Sequence, residues 1–255
     1  MKQFVPKEYR ELLDYISPSA FRVVDWKSAL GLLLNMGKRS FDKEHMQEIA
    51  QASLAYTSKH LTLDEKLEID TSESTELHAA IGHHALDLYF SQFFSTEHTL
   101  IDLRPGCFRM SQQQCHYQPG RLSHEFSTSF KHGMLDIYAG YYLDQPEQLQ
   151  SGLEAVGLTS QNDSDESKER ITNLLLTHFG TADQGAITFS LKQFTESFHA
   201  LFTYLKSQNK TLDSDFLFLG IYLVTLYQTL AKIPEPLDVR EVFKATWKRN
   251  HKHIP

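Results

Sequence analysis

Residues 99–126 read TLIDLRPGCFRMSQQQCHYQPGRLSHEF, and the reading of the whole chain turns on this stretch. It holds two Pro-Gly pairs, Pro105-Gly106 and Pro119-Gly120, with short apolar runs between them and no apolar stripe at helical spacing. Proline presets φ for a turn and glycine accepts backbone conformations closed to other residues. The stretch therefore predicts a small β-hairpin or looped excursion near 100–122. Elsewhere the helical period prevails. The expected fold is mainly α, a single helical domain of about nine helices interrupted once.

On the C-terminal side, Phe130, Met134, Ile137, Tyr138 and Tyr141 fall on one face of a helix expected over 127–143. A shorter helix from Pro146 to Val156 stops at Gly157, and the polar run TSQNDSDESKE (159–169) reads as a loop. Helices are expected near 166–178, 188–207 and 214–232. Pro234 and Pro236 then force an extended link before a last helix near Asp238. On the N-terminal side, a helix from Ser74 to about Phe94 leads into the excursion, and the polar run LEIDTSESTE (67–76) precedes it. Residues 1–72 read as a helical cap and 74–255 as the core. The cap has a helix after Pro6 (Tyr9, Leu12, Leu13, Ile16) that Ser17-Pro18 breaks. A second runs from Ser19 to Met36 (Val23, Trp26, Leu30, Leu33, Leu34) and ends at Gly37. A third spans Phe41 to His60 (Met46, Ile49, Ala50, Leu54, Ala55).

Of the 255 residues 41% are hydrophobic and 22% charged, an ordinary globular balance that can bury a core. The formal charge of −7 argues against nucleic acid as a partner, because phosphate binding needs clustered cations. The basic run KATWKRNHKH (244–253) reads as a solvated helix end favoured by the C-terminal dipole. Two cysteines are too few for a disulfide framework, and the N-terminus shows no signal-peptide pattern, so a cytoplasmic location is expected. The apolar run FLFLGIYLVTL (216–226) falls short of the roughly 18–20 residues that span a bilayer and reads as a buried helix.

Common catalytic signatures are missing: no phosphate loop, dinucleotide fingerprint, nucleophile elbow or zincin histidine pair is present. Among 13 histidines, His78, His83 and His84 sit near Glu76 and Asp87, and His84 and Asp87 are three apart. A di-metal bundle site wants Glu and His three apart on several helices. Glu44 has Gln47 in place of that histidine, so the pattern is not met. Cys107, Cys115 and His116 lack the spacing and the fourth ligand of a zinc site. No metal and no cofactor are expected.

Four segments carry a resemblance. LDLYFSQFF (86–94) precedes LIDLRPGCF (100–108), YQPGRLSHEF (117–126) follows, and LEAVGL (153–158) closes the set. Together they resemble the catalytic core of the UbiB/AarF-type atypical kinases, where a Leu- and Phe-rich helix leads into a catalytic loop HADPHPGN and then a metal-binding DFG. The segment DSDFLFLGIYLVTLYQTLAKI (213–233) is similar in character to a late helix of that fold. By this resemblance Asp102 takes the place of the catalytic-loop aspartate, and Cys107 stands where the family has its metal-binding asparagine. Gln118 replaces the DFG aspartate and Pro119 its phenylalanine, ahead of Gly120. Arg104 stands where the family has histidine.

Phosphoryl transfer relies on metal ions that neutralise the phosphates. A thiol and a neutral amide are poor substitutes for the hard oxygens that Mg²⁺ prefers. Residues 1–75 offer no glycine-rich lid or strand bearing a nucleotide-binding lysine. The resemblance thus implies a kinase-like C-lobe that is catalytically dead and serves as an interaction or regulatory module, its partner another protein. One alternative is an active kinase or ATPase with Asp102 as base and Asp136 or Glu125 holding metal. Another is a helical protein that binds an apolar small molecule (an isoprenoid or lipid), suggested by 17 Phe and 11 Tyr. A packed aromatic core explains those side chains as well.

Overall fold

Helical periodicity in the sequence becomes helix over most of the chain, in a computed structural model that describes residues 7–25, 28–29, 31–32, 43–64, 79–95, 98–111, 114–179 and 185–253. After a 3₁₀ helix at Lys7–Tyr15 come α1 (Ala20–Val23), α2 (Lys43–Leu54), β1 (Leu61–Leu63) and α3 (Ala79–Ser91). The excursion carries β2 (Thr99–Leu100), β3 (Phe108–Ser111), β4 (Gln114–Tyr117) and β5 (Ser123–His124). Then follow α4 (Thr128–Tyr142), α5 (Pro146–Ala155), α6 (Asp165–Phe179), α7 (Leu191–Ser207), α8 (Asp215–Leu230) and α9 (Val239–Asn250). The protein is mainly α, and the expected hairpin near 100–122 is β3 and β4. No helix among the described residues is long and apolar enough to cross a membrane.

The chain divides into two compact units, each assembled from separated stretches. One comprises Met1–Asn35, Phe126–Gln184 and Leu191–Ile221. Its helices start where the sequence offers a cap. Ser127 accepts from Phe130 N at the start of α4, and Pro146 opens α5 with a φ suited to a first turn. Gly157 ends α5 in the left-handed region, at φ +78°. Backbones of α4 and α5 approach closely enough that a Cβ on Gly152 would lie 2.6 Å from Gly133 O. Asp215 caps α4 from afar, accepting from Ser127 N at 3.1 Å and Oγ at 3.0 Å. Phe194, Phe198 and Phe202 line the buried face of α7.

The second unit comprises Met36–Glu125, Gly185–Ser190 and Tyr222–Pro255. Strand β4 lies between β3, antiparallel, and β1, parallel, with Cys115 opposite both Met110 and Leu61. Strands β2 and β5 pair antiparallel, Thr99 opposite His124. Helix α3 and the 3₁₀ turn Gln92–Phe94 that follows it pack on α9 through aromatic rings, Phe90 against Phe243 and Phe94 against Trp247, and Tyr89 and Phe93 meet Tyr222 of α8. The aromatic side chains named here fill the core by contact with one another.

Two expectations are corrected. The helix expected over Phe41–His60 stops at Leu54, and Leu61–Leu63 is a strand, because its backbone pairs with the remote Cys115–Tyr117. The helix expected over Ser19–Met36 is interrupted after Val23, where Val24 turns extended and bridges Leu212 in parallel. Pro6, Trp26, Leu30, Leu33, Leu34, the stop at Gly37, the run 67–76, the helix start at Ser74 and the cap boundary at 72–74 lie outside the described residues.

Candidate functional site

The excursion passes beneath α8 before it reaches its first Pro-Gly pair. Thr225 Oγ1 accepts from Leu103 N at 3.1 Å and donates to Ile101 O at 2.8 Å, while Thr229 Oγ1 donates to Leu103 O. Ile101 N donates to Leu122 O at 3.0 Å, and Tyr117 Oη to Asp102 O at 3.1 Å. Backbone groups on both sides of residue 102 are therefore fixed by partners distant in sequence. Its side chain points into a fully buried position.

A carboxylate without solvent needs a cation or several donors. Arg104 supplies them. Its Nε donates to Asp102 Oδ1 and its Nη2 to Oδ2, each at 2.8 Å, and its backbone N also reaches Oδ1 at 3.3 Å. This is a two-pronged guanidinium–carboxylate pair, the geometry that suits arginine and not lysine. The carboxylate is 0% exposed and the guanidinium side chain 26%.

Gln118 N donates to Cys107 O at 2.9 Å, so the two Pro-Gly turns are joined by their backbones. The Cys107 thiol is held well above its ordinary value, first by burial, then by the negative charge of Asp102 and a hydrogen bond to it, with Arg104 opposing. It is a protonated donor facing the carboxylate. Gly120 leaves room for that carboxylate: a Cβ there would sit 2.5 Å from Asp102 Cβ. The Gln118 side-chain oxygen is buried with no hydrogen-bond partner among the described residues.

Asp102, Arg104, Cys107, Gln118 and Gly120 are thus brought together. No protein-family model matches the chain, and no curated protein matches it. The other candidates fall elsewhere. Asp136, on α4, accepts from Gln148 Nε2 at 2.7 Å, and the exposed Glu125 lies 3.4 Å from His98 Nε2. Cys115 is buried in β4, whereas His116 turns to the opposite strand face and meets Thr62 Oγ1 at 3.2 Å. Asp87 takes donors from Ser58 N at 2.8 Å, Thr246 Oγ1 at 2.7 Å and Arg249 Nη2, so it is committed to holding α9 on α3. Glu76 and His78 lie outside the described residues. Among the described residues no group of three or more His, Cys, Asp or Glu side chains is placed to hold a metal ion.

Sequence reasoning missed two features of this unit. The Thr225 and Thr229 clamp had a faint signal, two hydroxyls one helical turn apart in an otherwise apolar helix. The Asp87–Arg249 pair had none, because its members are 162 positions apart.

Proposed function

We infer that this chain is a non-catalytic, pseudokinase-like interaction or regulatory protein, in which a loop resembling the UbiB/AarF catalytic loop serves as a structural lock. The observation behind this reading is the closed pair between Arg104 and Asp102. Both oxygens of the carboxylate that stands in the place of the catalytic-loop aspartate face a guanidinium. The remaining approaches are taken by a protonated thiol and by the Cα of Gly120. The two positions that hold metal in the family are here a protonated thiol, Cys107, and a neutral amide, Gln118, and the one nearby carboxylate is already paired with Arg104.

Catalysis by Asp102 as a general base fits less well. A base must come within about 2.6–3.2 Å of the proton it takes, and this side chain is fully buried. Melting the protein with and without ATP and Mg²⁺ tests the reading, since any ligand that binds the native state alone stabilises it by RT ln(1 + [L]/Kd). No nucleotide-dependent rise is expected at millimolar ATP. A rise that requires both nucleotide and metal would overturn the proposal.

A further inference from the structure

Four cations on α9 stand at four-residue steps: Arg240, Lys244, Lys248 and Lys252, the last in the 3₁₀ turn that extends the helix. At about 1.5 Å rise per residue Arg240, Lys244 and Lys248 form a ridge with steps of about 6 Å, and Lys252 lies beyond its end in the tighter 3₁₀ turn. Lys244, Lys248 and Lys252 are exposed, and none of the three is ion-paired with a described residue. The dipole accounts for part of this arrangement only, because its effect fades beyond the last turn. Lys248 and Arg249 lie in that turn, whereas Lys244 is further in and Arg240 is at the unfavourable N-terminal end. Like charges four apart repel, so the ridge weakens the helix that carries it.

The ridge is also held rigidly. Val239, Phe243, Thr246 and Asn250 are buried, Asn250 Nδ2 donates to Tyr56 O at 2.7 Å, and Arg249 is bound to Asp87. All this stands on a chain of formal charge −7. We propose that the Lys244–Lys248–Lys252 ridge is the docking surface for an acidic helical segment of a partner protein, with carboxylates at matching four-residue steps. Carboxylates repeated every fourth residue on a facing helix match the spacing of Lys244 and Lys248 along α9. A narrow acidic segment touches the ridge alone. An anionic bilayer is disfavoured by the formal charge of −7 on the chain, and the apolar face of α9 is already buried and cannot insert.

This inference rests on the reading of the chain as an interaction protein and names the chemistry of its partner. The probe is a fluorescein-labelled alanine-rich peptide with Glu at every fourth position, and a companion with Gln for Glu, followed by anisotropy with the full chain. Binding of the Glu peptide, loss of at least tenfold in affinity in K244E/K248E/K252E, weakening with added salt and no binding of the Gln peptide are expected. A K244Q/K248Q/K252Q variant, checked by its melting curve, repeats the comparison without reversing charge. Equal affinity in both triple variants and the parent would overturn the proposal. So would tighter binding to phosphatidylserine vesicles or to a DNA duplex than to the peptide. Nucleotide-dependent melting of the parent protein would instead overturn the non-catalytic reading and leave the ridge result standing.

Discussion

Arg104 donates two hydrogen bonds to the Asp102 carboxylate across a single intervening residue, and the stability of the excursion is expected to depend on both partners. Removing one member of a buried pair leaves a charge with neither water nor partner, at a cost of roughly 3–5 kcal/mol. Arg104→Ala is therefore expected to lower the unfolding free energy, read from urea titration, by an amount in the lower part of that range, because the guanidinium is partly exposed. Adding Asp102→Asn to that variant should recover much of the loss, since a neutral amide needs no counter-ion; an additive double variant would contradict this. The thiols give a second test. Burial pushes Cys115 up to about 12, and Cys107 is held well above its usual value. Because the thiolate is the nucleophile, iodoacetamide at pH 8 should add to neither cysteine in the native protein and to both in urea, as read by intact mass. His84 supplies a pH dependence. Burial lowers its affinity for protons below the ordinary 6.5, Asp87 opposes, and His60 and His83 add to the lowering. The unfolded chain then binds the proton more readily, so stability is full above about pH 6.5 and falls as the pH drops toward the folded value. His84→Gln should flatten that slope in urea titrations between about pH 8 and pH 5. At this scale the sequence is informative where the contact is local. Arg104 sits two residues from Asp102, and the Pro-Gly turns mark the loop. The Cys107 thiol facing Asp102 and the carboxylate seated against Gly120 depend on how the two turns meet, which no spacing records.

Helices were legible wherever a long amphipathic or apolar period met a cap or a breaker. The spans expected from Ser127, Pro146, residue 166, residue 214 and Asp238 match α4, α5, α6, α8 and α9 to within a residue or two. Strand β1 was not legible, since three residues after a helical pattern carry no period of their own and become a strand by pairing with β4. The break at Val24, which bridges the remote Leu212, is likewise a tertiary outcome. The docking of α9 on α3 depends on Asp87, which is buried and gathers donors from Ser58 N, Thr246 and Arg249. Asp87→Ala should cost roughly 2–4 kcal/mol, as several buried donors lose their acceptor together. Its signature is local. Amide hydrogen exchange should rise first in Val239–Asn250, while α4 and α5 keep their protection.

Neither compact unit is a contiguous piece of chain, since each is built from three separated stretches. Cutting the chain at a single point therefore cannot isolate either one. A fragment ending at Glu125 retains the candidate site residues but lacks Thr225, Thr229, Thr246 and Arg249, which fix Leu103 and Asp87. Such a fragment is expected to show no cooperative unfolding transition by circular dichroism; a sharp transition would show that these bonds are dispensable. The separation of 159 positions between Asp87 and Thr246 also has a meaning for biosynthesis. At about 5–20 residues added per second, a ribosome needs roughly 8–30 s to supply the second partner after the first has emerged. During that interval the nascent chain carries an apolar α3 without the helix whose Phe243 and Trp247 later cover it.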